Sequence, residues 1–289
     1  MHRTIRAALA AIVIAVGAGA QQPNPPTLVF VTDFGTEDGA VAVCKGVMWS
    51  VDPALRIVDL THQIPAYDIE TAGEVIEQAL PFYPAGTVVV AVIDPGVGTP
   101  RKPIAVRTKA GHYLVGPDNG VFTRVLMDEG LDRAVELRND AYFRVSATSS
   151  TFHGRDIFSP VGAHLAAGTP LDSLGPSVTP IELQLSKATF TRGVVRGIVR
   201  YIEDPYGNVV TDIPRALMDS AGFHLGDTLM VRIGPRTLRM PWKNTFGDVA
   251  VGRNLAVIHS RGVLSFSVNQ GNFAERYGTE RHAAVVVTR

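Results

Sequence analysis

The stretch Thr87-Val88-Val89-Val90-Ala91-Val92-Ile93-Asp94-Pro95-Gly96-Val97-Gly98-Thr99 decides the fold class of this chain. Residues 87–93 are almost all β-branched and apolar, a pattern typical of a strand buried on both faces of a parallel sheet. The proline and glycines that follow cannot continue a strand or a helix, so they predict a turn. Asp94 is therefore predicted at the carboxyl end of a buried strand, where open α/β sheets bind their ligands.

Strand-like and helix-like segments alternate on both sides of this stretch. The predicted strands are residues 28–31, 56–60, 87–93, 104–107 and 112–116, and the predicted helices are 40–50, 69–80, one that begins at Asn119-Gly120, and 160–167. The fourth and fifth strands form a predicted hairpin. This order indicates a layered α/β domain with a mostly parallel sheet, which we assign to residues 27–185.

The pattern changes after about residue 186. Short predicted strands recur at turn spacing, at residues 194–202, 228–233, 236–240, 255–259, 263–268 and 283–288. Gly197 stands inside the first of them, which often marks a bulge or a bend. Such spacing favours a small antiparallel barrel, so we predict a C-terminal all-β barrel domain over residues 190–289.

The first residues of the chain have the pattern of a secretory signal peptide. Arg3 and Arg6 precede the apolar run 7–16, and Ala18-Gly19-Ala20 matches a small-x-small cleavage site. We predict a signal peptide over residues 1–20 and a linker over 21–26, and hence export to the periplasm or the extracellular space. The alternative is an uncleaved segment that tethers the protein to the membrane, although the apolar run is short for a span.

Composition excludes several classes of protein. The 289 residues contain 27 Lys plus Arg and 27 Asp plus Glu, so nothing suggests a nucleic-acid partner. Cys44 is the single cysteine, which excludes a disulfide framework and a cysteine-type zinc cluster, and its apolar neighbours predict a core position. Asp59 and His62 predict a turn with a hydrogen-bonded histidine, because no third ligand lies at metal spacing. No metal site is predicted.

Six motifs occur in order along the mature chain. They are Thr32-Asp33-Phe34-Gly35, Val58-Asp59-Leu60-Thr61-His62, Asp94-Pro95-Gly96-Val97-Gly98-Thr99, Gly116-Pro117-Asp118-Asn119-Gly120, Thr151-Phe152-His153-Gly154-Arg155-Asp156 and Tyr206-Gly207-Asn208. Together with Ser260-Arg261 they resemble the S-adenosylmethionine hydroxide adenosyltransferases, a family related to the S-adenosylmethionine-dependent fluorinases and chlorinases. One such motif would be weak, but six in sequence are a specific signal.

The resemblance implies a fold, an assembly and a reaction. Members have an N-terminal α/β domain and a C-terminal β-barrel, and usually form homotrimers with sites between subunits. The hydroxide branch converts S-adenosylmethionine and water to adenosine and methionine, with no cofactor beyond the substrate itself. Its Asp-Arg-His set corresponds to Asp94, Arg101 and His153.

The implied reaction is an in-line displacement at the ribose C5′. The sulfonium leaves as a neutral thioether, so the difficulty lies with water, whose pKa is about 15.7. Arg101 is a permanent cation that can stabilise the developing negative charge, and His153 can accept or relay a proton. A neighbouring arginine makes a carboxylate a weaker base, so we expect Asp94 to orient the water and Arg101.

The resemblance also implies substrate-binding residues. Asp33 would accept both ribose hydroxyls, although a carboxylate after a strand can also cap the next turn, and Asp38 would meet the methionine ammonium. Tyr67 would pack over the ribose and the sulfonium. Asn208 would read the adenine edge, and Ser260-Arg261 would hold the methionine carboxylate.

Some positions depart from the family pattern or keep alternatives open. The carboxylate before the second-domain Gly-Asn could be Glu203 or Asp204, and Asn269-Gln270-Gly271-Asn272 replaces an expected small-residue stretch near the adenine. Asp118-Asn119-Gly120 is interpreted as a helix start. Arg155-Asp156 is interpreted as an internal ion pair that positions His153.

Two other functions compete with hydrolysis. The halogenases have Tyr-Pro in place of Asp94-Pro95 and Tyr-Ser in place of His153-Gly154, as the resemblance implies, and an anionic Asp94 would repel a halide. The chain also lacks the fluorinase-type insertion expected between about residues 110 and 120. The third candidate, an exported binding protein for adenosine or S-adenosylmethionine with little turnover, is motivated by the predicted signal peptide.

Overall fold

The structure is a computed structural model that describes residues 27–145 and 148–289. The chain folds into two compact units. The first unit ends at Leu183, and the second begins at Gln184. The predicted signal peptide (1–20) and linker (21–26) lie outside the described residues. Among the described helices, none combines the length and the apolar character that a membrane span requires.

A six-stranded mixed sheet forms the centre of the first unit. Its strands are β1 (Thr27–Thr32), β2 (Arg56–Thr61), β3 (Val88–Val92), β4 (Pro103–Thr108), β5 (Tyr113–Pro117) and β6 (Leu131–Glu136). Their order in the sheet is β2-β1-β3-β5-β4-β6. The first three pairs are parallel, whereas β4 runs antiparallel to both β5 and β6. The predicted α/β fold and the predicted hairpin are therefore confirmed.

The edge strand β6 has no counterpart in the sequence prediction. The first three residues of β6, Leu131-Asp132-Arg133, are exposed, and only Ala134 and Val135 are buried. The alternation of apolar and polar residues in β6 is too weak to predict a strand, because an edge strand buries little of its surface. Pairing with β4 forms it instead.

Four α-helices accompany this sheet among the described residues: α1 (Ala40–Val51), α2 (Ile69–Ala79), α3 (Thr123–Glu129) and α4 (Ser159–Ala166). Asp68 caps α2, since its carboxylate accepts the backbone N–H of Thr71 at 2.9 Å. The helix predicted to begin at Asn119-Gly120 begins at Thr123 instead. The residues before Thr123 are in a turn, in which Asn119 Oδ1 accepts the N–H of Val121 at 3.2 Å.

The core of the first unit has β3 at its centre. All five residues of β3 are buried, as the apolar run predicts for a strand covered on both faces. Cys44 on α1 is fully buried, which confirms its core position. Burial raises the pKa of its thiol to about 11, so this cysteine is not a nucleophile at neutral pH.

The second unit is an antiparallel sheet that curls into a nearly closed barrel. It contains β7 (Thr189–Thr191), β8 (Val194–Glu203), β9 (Asn208–Pro214), β10 (Thr228–Ile233), β11 (Arg236–Pro241), β12 (Asn254–Ile258), β13 (Val263–Val268) and β14 (Ala284–Thr288). The order is β11-β10-β14-β8-β9-β13-β12, with β7 on β8. A bridge between Trp242 and Ala256 joins the two ends. The predicted barrel is confirmed, and two short helices, α5 (Arg215–Ser220) and α6 (Phe273–Tyr277), complete it.

Gly197 is required because β8 and β9 approach each other closely there. No bulge lies at Gly197 itself. A Cβ at Gly197 would lie 2.2 Å from Oδ1 of Asp212 on the neighbouring strand. The register shift between β8 and β9 falls between Val199 and Tyr201. The expected irregularity therefore exists in β8, but it lies beyond the glycine.

Candidate active site

Three charged or titratable side chains from separate parts of the first unit meet at the carboxyl end of β3. Arg101 Nε donates to Asp94 Oδ1 at 3.0 Å, and Nη2 donates to the other oxygen of the same carboxylate. The same Nη2 lies 3.0 Å from Nδ1 of His153. The side chains of Asp94 and Arg101 are only 6% and 7% exposed. The predicted Asp94, Arg101 and His153 set is thus one connected cluster.

The turn after β3 folds Arg101 back onto Asp94. Gly98 has φ +76°, and a Cβ there would lie 2.4 Å from the carbonyl oxygen of Ser150. An L-amino acid is disfavoured at such a φ, and no side chain fits against this backbone. Gly98 therefore lets the turn pack against the loop that leads to His153.

Asn119 supports the residue before Asp94. Its Nδ2 donates to the backbone carbonyl of Ile93 at 2.9 Å, so the motif Gly116-Pro117-Asp118-Asn119-Gly120 contacts the end of β3. Asp118 is buried, and its carboxylate accepts the N–H of Ile181 at 2.7 Å. Burial raises the pKa of Asp118, while this backbone hydrogen bond opposes the rise. The motif works as a structural support for β3 and for the segment near Ile181.

A buried carboxylate fixes the loop that carries His153. Asp156 is fully buried and accepts Nε of Arg155 at 2.7 Å, Nε of Arg144 at 2.7 Å and the N–H of Ser149 at 2.8 Å. The hydrogen bond from Arg155 is the main reason why the pKa of Asp156 lies far below its usual range. The predicted Arg155-Asp156 ion pair is present, and Arg144 extends it.

The environment of His153 keeps its ring neutral. Burial lowers the pKa of His153, and the positive charge of Arg101 lowers it further, while Asp94 opposes both. Arg101 can only donate, so Nδ1 must accept and the ring proton lies on Nε2. Phe158, fully buried, packs behind the cluster with its ring centroid 5.3 Å from the Arg101 guanidinium carbon.

A cavity of about 260 Å³ opens above this cluster. Its lining includes Asp33, Tyr67, Asp94 and His153. Asp33 accepts the backbone N–H of Tyr67 at 2.9 Å and does not cap the turn that follows it. Tyr67 has φ +69° and is 71% exposed, so its ring is free to pack over a ligand.

Asp38 does not line this cavity. Its carboxylate accepts the N–H of Ala40 at 2.8 Å, at the start of α1, and is exposed to solvent. In this conformation Asp38 contacts the backbone two residues further on, as in an Asx turn before the helix.

The second unit has its own, larger pocket of about 820 Å³. Asn208 and Ser260 line it, as do Glu203 and the segment Asn269-Gln270-Gly271-Asn272. Asn208 is buried, and its Nδ2 donates to Oε2 of Glu203 at 2.8 Å. The contact identifies Glu203, and not Asp204, as the carboxylate partner of Asn208.

Arg261 is not part of the lining of this pocket. Its guanidinium carbon lies 5.4 Å from the ring centroid of Tyr201, a cation–π contact. The structure therefore brings Asn208 and Ser260 to one pocket, and Arg261 is exposed and stacks on Tyr201.

No metal centre is evident in the described part of the chain. Within residues 27–145 and 148–289, no three His, Cys, Asp or Glu side chains are grouped so that they could hold an ion. Nδ1 of His62 lies 2.9 Å from Oγ1 of Thr32, and Nε2 lies 3.0 Å from Asp59. The interpretation of His62 as a hydrogen-bonded histidine is confirmed.

The sequence did not predict the roles of several residues around the two pockets. His259 lines the second pocket and contacts Glu203, and Asn119 and Arg144 support the first cluster. The position of His259 directly before Ser260-Arg261 was an available signal. Nothing in the sequence pairs Arg144 with Asp156, because that contact depends on how the loop folds.

The structure thus has an α/β unit with a buried charged cluster beside a cavity, and a β-barrel unit with a pocket of its own. A family model described as the SAM hydroxide adenosyltransferase N-terminal domain matches residues 28–175. The model of the C-terminal domain of the same family matches residues 197–286. The chain belongs to the SAM hydroxide adenosyltransferase family.

Individual relatives agree with this assignment. The chain is 38% identical over 265 residues to the (R)-S-adenosyl-L-methionine hydrolase of Salinispora tropica, with 88% of this chain and 94% of the relative covered. It is 30% identical to a fluorinase of an Actinoplanes species, with 91% and 98% covered. An uncharacterized conserved protein from Thermotoga maritima, known as a crystal structure, superposes with a TM-score of 0.86 at 35% identity, with 91% and 100% covered.

Proposed function

We propose that this protein hydrolyses (R)-S-adenosyl-L-methionine to adenosine and L-methionine, by attack of water on the ribose C5′. One observation carries this proposal: Arg101 joins Asp94 to His153, and both of those residues line the cavity. The hydrolase relatives add the substrate and its sulfonium configuration.

The reaction balances without a cofactor. The water oxygen forms a bond to C5′ while the C5′–S bond breaks, and the electron pair of that bond stays on sulfur. The products are adenosine, neutral thioether methionine and one proton. Since the leaving group is neutral, the protein has to position water and stabilise the charge that develops on it.

The cluster of Asp94, Arg101 and His153 has hydrogen-bond donors that can stabilise the charge on the attacking water. Arg101 Nη1 is buried and has no hydrogen-bond partner among the described residues, so it can donate to a water oxygen. Nε2–H of His153 is a second donor. Both oxygens of Asp94 accept from Arg101, so Asp94 orients the guanidinium and leaves the stabilisation of charge to Arg101.

The binding roles follow from the two pockets. Asp33 would accept the ribose hydroxyls and Tyr67 would cover the sulfonium in the first, and Asn208 and Ser260 would hold adenine and methionine groups from the second. The roles of Arg261 and Asp38 require their side chains to turn toward the substrate. The family resemblance supports a homotrimer with sites at subunit interfaces, and the sequence of residues 1–20 supports export.

Product analysis in heavy-oxygen water tests this proposal. The full-length protein is incubated with each sulfonium epimer in H₂¹⁸O, and the products are identified by mass. Hydrolysis at C5′ puts one ¹⁸O into the adenosine 5′-hydroxyl and none into methionine, with the (R) epimer consumed faster. A parallel reaction in chloride or fluoride distinguishes a halogenase, which would form a 5′-halogenated nucleoside. Unchanged substrate despite measurable binding would identify a binding protein.

A further inference from the structure

In the pocket of the second unit, His259 lies between the Glu203–Asn208 pair and the Ser260-Arg261 turn. Its Nε2 lies 3.5 Å from Oε1 of Glu203, whose other oxygen accepts Asn208. Its Nδ1 lies 3.4 Å from the amide nitrogen of Arg261 and 3.5 Å from Oγ of Ser260. We propose that His259 is a positioning residue that fixes both the Glu203–Asn208 pair and the Ser260-Arg261 turn, and so sets affinity for both ends of the substrate.

The hydrogen-bond geometry selects one form of the ring. A backbone N–H can only donate, so the amide of Arg261 requires Nδ1 of His259 to accept. The proton of the neutral ring then lies on Nε2, where it faces the carboxylate of Glu203. One ring therefore serves as acceptor for the turn and as donor for the carboxylate.

An aromatic side chain keeps this ring in place. The ring of Tyr201, on β8, meets the ring of His259 nearly at right angles, with centroids 6.2 Å apart. The guanidinium of Arg261 lies over the same Tyr201 ring at 5.4 Å. The side chain of His259 is 15% exposed, so the ring is enclosed but still part of the pocket wall.

The proposed role concerns binding and not the reaction step. His259 acts through Asn208 and Ser260-Arg261, which the proposed function assigns to adenine and to the methionine carboxylate. This inference therefore rests on that assignment. Loss of His259 should raise KM while kcat changes much less, because the bonds that break and form belong to the other cluster.

Three substitutions separate the two contacts. His259→Phe keeps the ring against Tyr201 and removes both polar contacts. His259→Asn keeps an acceptor near the position of Nδ1, and His259→Gln keeps a donor near the position of Nε2. For each variant, KM and kcat are measured, and the affinities for adenosine and for L-methionine are measured separately by calorimetry. His224→Phe is the matched control, an exposed histidine of the same unit outside the pocket.

We expect His259→Phe to weaken adenosine and methionine binding by about five-fold each, the factor expected for one lost hydrogen bond. The Asn variant should recover methionine affinity, and the Gln variant should recover adenosine affinity. Equal losses in all three variants, or affinities within two-fold of wild type in the Phe variant, would overturn the proposal. If the wild-type protein binds both products but does not turn over the sulfonium, the proposed function fails while this inference is still decided by the calorimetry.

Discussion

The two pockets of this protein differ in how much charge they bury. In the first unit, Asp94 and Arg101 are almost fully enclosed and bound to each other, with His153 on the same guanidinium. In the second, Asn208 is buried against Glu203, whose side chain is 37% exposed. The first pocket is also the smaller, at about 260 Å³ against about 820 Å³.

This difference matches a division between reaction and recognition. Buried charge interacts strongly because little water screens it, and charge stabilisation at a reacting atom needs that environment. Neutral amides and hydroxyls read the shape and hydrogen-bonding edge of a ligand at smaller cost. Substitutions of Asp94, Arg101 and His153 should therefore reduce kcat, and substitutions in the second pocket should raise KM.

The largest effect is expected for Asp94→Asn. The neutral amide cannot hold both donors of Arg101, so the guanidinium loses its orientation and kcat should fall by about 100-fold or more. The measurement is steady-state kinetics of adenosine formation. Asp132→Asn is the control, an exposed carboxylate of β6 that pairs with Arg107 and lies outside both pockets. A variant that keeps a rate within a few-fold of wild type would refute the assignment of Asp94.

Asp156→Asn should show that the first pocket depends on a buried ion pair. Breaking such a pair leaves Arg155 and Arg144 without their anion, which lowers the free energy of unfolding by about 3 kcal/mol. The pKa of Asp156 is lowered in the folded state, so this stabilisation is present above the ordinary carboxyl pKa of about 4 and declines only as the pH falls below it.

Urea denaturation between pH 3 and pH 8 measures this effect. The difference between wild type and Asp156→Asn should be constant from pH 5 to 8 and should shrink in acid. Asp172→Asn removes an exposed partner of Arg133 and should change stability by about 0.5 kcal/mol or less. Similar losses in the two variants would mean that the buried carboxylate has no special role.

His153→Asn tests the protonation state of the first cluster. Because the pKa of His153 is lowered from the usual value of 6.5, its ring is mostly neutral at pH 6.5 and becomes protonated only at a lower pH. The acid limb of kcat/KM should therefore lie below pH 6.5 in the wild type. Asparagine keeps an acceptor for Arg101 but does not titrate, so the variant should lose about ten-fold in rate together with this limb. An acid limb that persists unchanged in the variant would assign the titration to another group.

The smallest effect is expected from substitution of Glu203, which lines the second pocket, and of its neighbour Asp204. Glu203→Met removes the acceptor of Asn208 and should raise KM by about five-fold with little change in kcat. Asp204→Asn is its matched partner and should leave KM within two-fold of wild type. The reverse order would restore Asp204 as the residue that supports Asn208.

Local sequence signals predicted most of the first unit and much of the barrel. The β-branched run 87–93 and the turn after it indicated a buried parallel strand with Asp94 at its end, and the structure confirms that placement. Edge strand β6 was missed because it buries only two residues, so its pattern is mostly that of a surface. The strand β9 was also missed, since it follows the predicted turn 204–207 directly.

The sequence by itself determined the two fold classes, the family and the identity of the charged residues, because those depend on residue type, periodicity and motif order. The tertiary structure decided which side chains meet: Arg101 on Asp94 and His153, Arg144 on Asp156, and His259 between Glu203 and the Ser260-Arg261 turn. These contacts join residues that are distant in the chain. They depend on loop paths and strand register, which no local pattern of residues encodes.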